Sequence, residues 1–169
     1  MSNTNPFEIE RKFLVKALPD KLDNYPHYNL EQGYLSVAPV VRVRKKDDEY
    51  ILTYKSGGMM KRREVELPLD QNSYGHLIAK ADGIVISKTR YAIPDGKYTI
   101  ELDIFHGMLD GFVMAEVEFN SIEDADCYEK PDWFSADVTN NPAFHNSRMS
   151  GMTTDECKEF FELFHKLNK

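Results

Sequence analysis

EIERKFLV, residues 8–15, sets charge on alternate positions: Glu8, Glu10 and Lys12 are separated by Ile9 and Arg11, and Phe13 and Val15 follow. In an extended chain every second side chain points to the same side. A strand here therefore gives one face to charge and the other to Ile9, Phe13 and Val15. Taken alone, that is an ordinary surface strand with a solvated face. Recurrence would make it something else.

The pattern does recur. Arg42 and Arg44 alternate with Val41 and Val43, and Lys55 ends YILTYK, whose opposite face is Tyr50, Leu52 and Tyr54. Arg62, Glu64 and Glu66 interleave with Val65 and Leu67, and Lys88 and Arg90 with Ser87, Thr89 and Tyr91. Glu101 and Asp103 are flanked by Ile100, Leu102 and Ile104; Glu116 and Glu118 by Ala115, Val117 and Phe119. The charges come in like-signed pairs two residues apart. Such pairs sit about 7 Å from each other on one strand face and repel, so they need counter-charges from neighbouring strands or from a ligand. The economical geometry is a barrel with charge inside and apolar residues outside, the reverse of a carrier for apolar ligands. Unpaired buried charge costs several kcal/mol, so the interior must be wide, wet and filled by something highly charged. Arginine and lysine suit phosphate oxygens, and carboxylate clusters suit hard cations such as Mg²⁺ or Mn²⁺. Both in one cavity point to a metal–polyphosphate complex. The five histidines show no HxH or HExxH spacing, which disfavours a zinc site.

Composition sets the outer limits. The 169 residues fit one domain, 1–169, with 41% apolar and 29% charged residues, as in a soluble globular protein. No apolar run is long enough to span a bilayer, so no membrane partner is expected. MSNTNP reads as neither a signal nor a transit peptide, and a cytoplasmic protein is expected. Cys127 and Cys157 have no CxxC-type spacing and read as structural or incidental thiols. Residues 1–94 carry 15 Lys and Arg against 12 Asp and Glu, whereas residues 95–169 carry 6 against 16. A uniformly basic face is absent, so no nucleic-acid partner is expected.

Strands are predicted at 6–16, 28–38, 40–46, 49–56, 60–69, 84–93, 97–106 and 112–120. Turn chemistry stands at Asp47-Asp48, Gly57-Gly58, Asp95-Gly96 and Asp110-Gly111. Helices are expected at 18–24 and 71–81, and the stretch 121–151 reads as mostly loop with a short helix near Glu123. The C-terminal helix, 154–167, is the plainest: Thr153 and Glu156 form a capping box, and Phe160, Phe161, Phe164 and Leu167 make an apolar stripe. Docking on the core wall is its simpler reading; covering one end of the barrel, with Lys158 or Lys166 toward a mouth, is the other. The fold class is α+β, an antiparallel eight-stranded barrel with a charged interior and short helices outside.

EIERKFLV resembles the ExExK motif of the CYTH superfamily, the triphosphate tunnel metalloenzymes. VRVRK (41–45), TYK (53–55), RREVEL (62–67), SKTRY (87–91), IELDIF (100–105) and AEVEF (115–119) follow in order, and PDWFSADVTNNPAFHNSRMS resembles the closing segment of short bacterial members. The resemblance implies that Glu8, Glu10, Glu116 and Glu118 hold divalent metal, Mg²⁺ or Mn²⁺, with Asp103 as a further metal residue. It implies that Lys12, Arg42, Arg44, Lys55, Lys88 and Arg90 bind triphosphate. Glu64 and Glu66, with Glu101 and Asp103, would orient these bases or a second metal, and Lys12, Glu64 and Glu66 form the expected catalytic set. Gly57-Gly58 lacks the GxxxxGK[ST] context of a phosphate loop and reads as a hairpin turn. The expected activity is hydrolysis of inorganic triphosphate to pyrophosphate and phosphate. A class IV adenylate cyclase and a non-catalytic polyphosphate-binding module are the alternatives. The expected partner is a small-molecule triphosphate, and a homodimer is the protein assembly entertained.

Overall fold

The computed structural model describes residues 7–58 and 60–169. It has nine strands: β1 (Phe7–Val15), β2 (His27–Val37), β3 (Val40–Lys46), β4 (Glu49–Lys55), β5 (Lys61–Leu69), β6 (Asp82–Asp95), β7 (Tyr98–Phe105), β8 (Val113–Glu118) and β9 (Phe134–Asp137). The order is β5-β4-β3-β2-β6-β7-β8-β1-β9, and a further β5–β1 pairing closes the first eight into a barrel. Every pairing is antiparallel. The eight predicted strands are these eight. Pro6, at the edge of the first prediction, lies outside the described residues, and β6 runs longer than predicted at both ends. The foreseen turns join β3 to β4, β4 to β5, β6 to β7 and β7 to β8.

Four α-helices accompany the strands: α1 (Gln71–Ile78), α2 (Ile122–Asp126), α3 (Asn146–Met149) and α4 (Thr154–Leu167). The helix expected at 18–24 shrinks to a 3-10 turn at Leu22–Asn24, because Lys21 adopts the left-handed conformation (φ 56°) and interrupts the helical path. α1 starts where the Asp70 side chain accepts from the Ser73 N–H at 2.7 Å, and it stops three residues short of the predicted end. Its C-terminal side lies so close to β2 that a Cβ on Gly33 would stand 2.6 Å from Ile78 Cδ1. The stretch 121–151 is more ordered than expected. It contains α2, the unforeseen β9 against β1, a 3-10 turn at Pro142–Phe144, and α3.

Two apolar clusters sandwich the charged interior. The first covers the outside of β1, β6, β7 and β8. There Ile9, Phe13, Val15, Ile93, Leu102 and Val117 meet Ala125 of α2 and Phe134 of β9, and the Phe13 and Phe134 rings stack at 4.9 Å. The second is built from inward-facing positions. Leu14, Val40, Ile86, Phe105 and Met114 each stand two residues from an inward charge (Lys12, Arg42, Lys88, Asp103 and Glu116), and together with Tyr34 they form an apolar plug across one end of the barrel. α4 seals that plug. Phe160 and Phe164 pack edge-on to Phe112, which contacts Phe105, and the predicted capping box is present at Thr153 and Glu156. The helix thus lies over the barrel end rather than its wall. Lys158 is exposed and pairs with Asp155, and Lys166 is exposed too. The tail is pinned at Gly83 (φ +69°), where a Cβ would be 2.1 Å from the Ser150 carbonyl oxygen and where the Ile84 N–H donates to that oxygen at 2.7 Å. The outer face is not wholly covered: Tyr54, Val65 and Leu67 on β4 and β5 are exposed. Among the described residues no helix is long and apolar enough to cross a membrane.

Candidate active site

Register brings the predicted charges together. Glu8 lies opposite Arg62 across β1–β5, Lys12 opposite Glu116 and Glu10 opposite Glu118 across β1–β8, Glu116 opposite Glu101 across β7–β8, and Arg90 opposite Asp103 across β6–β7. Glu8, Lys12 and Arg90 therefore meet opposite signs on the next strand, whereas Glu10 faces Glu118 and Glu101 faces Glu116, carboxylate against carboxylate. Lys12 Nζ lies 2.9 Å from Glu10 and 2.6 Å from Glu116, and Lys55 Nζ donates to both oxygens of Glu8 at 2.7 and 2.6 Å and stands 3.4 Å from Glu64. Arg90 donates to both oxygens of Asp103 at 2.6 and 2.7 Å, to Glu116 at 2.6 Å, and to Glu101. Lys88 pairs with Asp103.

Depth sorts these groups. Glu10, Lys12, Arg42, Lys55, Lys88, Arg90, Asp103 and Glu116 are buried, whereas Glu66 and Glu118 are exposed. The charged tunnel thus has a deep end at the plug and a mouth toward Glu66, Glu101 and Glu118. Taking this much charge out of water is expensive, and apolar residues of similar volume would stabilise a barrel at least as well. Such an interior makes sense as a receptor.

The titration behaviour carries the same signature. Burial and then the neighbouring Glu10 push Glu8 up to about 7, against the pull of Lys55. Burial opposes ionisation of Glu10 too, but Lys12, Lys55 and Arg62 hold it down at about 2. Glu116 is held well below the usual carboxylate range by Lys12, Arg90 and Lys88 despite its burial. Burial brings Lys88 down to about 8 even beside Asp103, and burial with Arg42 and Arg90 nearby brings Arg44 down to about 10. Two arginines are short of counter-charge. Arg44 Nε donates to the neutral Gln32 at 3.2 Å, and Arg42 donates to Thr53 at 3.2 Å with its nearest carboxylate, Glu64, at 3.9 Å.

Among the described residues no three His, Cys, Asp or Glu side chains already form a metal cage. The inward carboxylates Glu8, Glu10, Glu116 and Asp103 each sit on a lysine or arginine. Their chemistry nonetheless fits a hard cation: Glu8 and Glu10 share one strand face with Glu116 and Glu118 across the pair, all oxygen donors. Several interior residues were given no site role by the sequence reading. Arg62, 3.0 Å from Glu10, had only its alternation with Glu64 and Glu66 as a signal, and Thr53, which links Arg42 to Glu66, had only its position two before Lys55. His145, Asn146 and Ser147 line a cavity beside Lys12, Arg42 and Lys55 without any charge pattern to announce them.

A closed antiparallel barrel lined by paired bases and acids defines a charged-tunnel protein. The CYTH domain family model matches residues 6–130, and the chain belongs to that family. It is 38% identical over 149 residues to an inorganic triphosphatase of Nitrosomonas europaea, covering 85% of this chain and 96% of the relative. It is 35% identical over 150 residues to an inorganic triphosphatase of Acetivibrio thermocellus, covering 84% and 92%. Among solved structures, that of the inorganic triphosphatase NE1496 superposes with a TM-score of 0.66 at 33% identity, covering 86% of this chain and 95% of that one. The PH1012 protein of Pyrococcus horikoshii shares the fold at a TM-score of 0.52 and 19% identity, over 70% and 82% of the two chains.

Proposed function

We propose that the protein is a metal-dependent triphosphatase that hydrolyses inorganic triphosphate to pyrophosphate and phosphate. The observation that carries the reading is the pair Arg42 and Arg44, cations inside the tunnel, of which Arg42 has its nearest carboxylate at 3.9 Å and Arg44 donates to the neutral Gln32. A polyanion supplies what they lack. The names of the two inorganic triphosphatases to which the chain is similar support the same substrate class.

In this reading Arg42 and Arg44, which lack a close carboxylate, bind phosphate oxygens together with Lys12, Lys55, Lys88 and Arg90, which share theirs with the acids. Glu8, Glu10, Glu116 and Glu118 would hold Mg²⁺ or Mn²⁺, which supplies Lewis-acid neutralisation of phosphate oxygens. Asp103, wholly buried and held by Arg90 and Lys88, is assigned to orientation of those two bases. Glu64 steadies Arg42 and Lys55, and Glu66 reaches Arg42 through Thr53. Lys12, fixed by Glu10 and Glu116, presents its ammonium to the phosphoryl group as negative charge moves to the leaving pyrophosphate. Positioning and preorganised charge do most of the work in phosphoryl transfer. A cytoplasmic setting belongs to the same proposal and is supported by two free thiols, Cys127 and Cys157.

Pure protein incubated with tripolyphosphate or ATP plus Mg²⁺, with the products resolved, tests the proposal. Pyrophosphate and phosphate from tripolyphosphate are expected. Cyclic AMP from ATP would establish the cyclase instead, and binding without turnover the polyphosphate-binding module.

A further inference from the structure

Two buried side-chain atoms among the described residues lack a hydrogen-bond partner: Arg42 Nε, a donor, and Asn146 Oδ1, an acceptor. Both residues line the same small cavity of about 30 Å³, with Lys12, Lys55, Arg62 and His145 around them. Tyr34 and Val40 of the apolar plug form its floor, so it lies at the deep end of the tunnel. An orphaned buried polar group is destabilising, and two on residues that line one cavity mark a place for a ligand. One donor and one acceptor are what a single water meets, and the volume exceeds the ~10–15 Å³ that a water needs. The carboxamide oxygen is the sensible end of Asn146 to turn this way, because Lys12, Arg42, Lys55 and Arg62 are donors without acceptor capacity.

An acceptor among cations has little use for a fully ionised phosphate oxygen, but it can hold an O–H. We propose that Asn146 binds the attacking water and aims it at the terminal phosphoryl group, a role that rests on the triphosphatase reading above. In-line displacement requires the nucleophile on the side of phosphorus opposite the leaving group. A triphosphate that enters from the mouth places its terminal phosphorus deepest, with the departing pyrophosphate toward the mouth. The water must then come from beyond the phosphorus, from the cavity that Asn146 and Arg42 both line. The water oxygen forms a bond to phosphorus as the bridging P–O bond breaks, and the bridging oxygen leaves on pyrophosphate with the electron pair. One water proton stays as the hydroxyl of the new phosphate, and the other passes to pyrophosphate. Asn146 lies outside the 6–130 span of the family match.

The test is Asn146→Ala in the full chain, read as kcat and KM for tripolyphosphate and as affinity for a non-hydrolysable imido-linked triphosphate. kcat should fall about 10- to 100-fold, the scale expected of a misplaced reactant, while KM and analogue affinity stay within about threefold. Weaker analogue binding with kcat preserved, or no change in either, overturns the assignment. If the alanine variant folds poorly, Asn146→Ser, polar but too short to reach the same point, must show the same split. A wild-type chain inactive on tripolyphosphate overturns the triphosphatase reading and this one with it; with the wild type active, the variants judge Asn146 alone.

Discussion

Arg90→Met keeps a side chain of comparable length and removes the guanidinium that holds three carboxylates together. Arg90 is 5% exposed and Asp103 is wholly buried. Asp103 would lose two hydrogen bonds of 2.6 and 2.7 Å and keep only Lys88, and Glu116 would lose its 2.6 Å bond and keep Lys12. Breaking a buried pair by removing one partner costs about 3–5 kcal/mol. The Glu101 contact adds little, because that side chain is 39% exposed and screened by solvent. In EDTA the unfolding free energy should therefore fall by about 3–4 kcal/mol, a large part of the ~5–15 kcal/mol typical of a domain. Added Mg²⁺ should recover part of the loss, since the stranded carboxylates gain a cation. Loss of one charged contact to phosphate, worth about 1.5–3 kcal/mol, should lower kcat/KM for tripolyphosphate about ten- to a hundredfold. Urea denaturation with and without Mg²⁺, followed by initial rates, checks both numbers. A stability loss under ~1 kcal/mol in EDTA would refute the idea that Arg90 holds these acids together.

EDTA should abolish tripolyphosphate hydrolysis, and Glu10→Gln should remove most of it at saturating Mg²⁺; full activity in metal-free buffer contradicts the assignment. Glu8 has a folded-state pKa of about 7 against an ordinary 4.5, so the folded chain binds that proton more tightly than the unfolded one. Its contribution is complete below pH 4.5 and is lost as pH rises through about 7, by up to roughly 3 kcal/mol. Thermal unfolding in EDTA from pH 5 to 8 should show this decline, and Glu8→Gln should flatten it; equal slopes in the two proteins argue against the shift. Phe164→Ala removes a buried ring that packs edge-on to Phe112 at 5.2 Å, and it should cost about 3–5 kcal/mol while the folded fraction keeps its kcat. A variant as stable as the parent by chemical denaturation would show that α4 does not seal the plug.

Period-two alternation made the barrel legible, because a charge two residues from another charge can only share its face. Glu8 and Arg90 could be placed inside on that ground alone. Closure of β5 on β1 could not, since the Glu8–Arg62 pairing spans 54 residues and no local signal reports it. The plug was half visible. Leu14, Ile86, Phe105 and Met114 continue the inward positions past the last charge, but on a single strand this looks like an alternation running out. Only their packing in the folded barrel shows that they form one cluster. Lys21 defeated the 18–24 helix through a backbone conformation that its identity does not announce. β9 went unseen because four residues, FSAD, are too few to display a period. Asn146 was invisible for a different reason: its significance is an atom without a partner, which is a property of packing rather than of sequence.

Among the described residues the plug closes the deep end and leaves the mouth as the barrel's doorway, and a vessel with one doorway sets an order of traffic. Whatever part of a linear substrate enters first must leave last. In a triphosphatase, orthophosphate made at the bottom waits behind pyrophosphate, so departure of the larger product gates the next turnover. Added pyrophosphate should then obstruct the enzyme more directly than added phosphate. The doorway also decides which end of a decorated substrate the chemistry meets. A triphosphate with an organic group on one end must go in bare end first, leaving that group among the exposed residues of the rim. Discrimination between a bare and a decorated triphosphate therefore belongs to the rim around Glu66 and Glu118, far from the bond being broken.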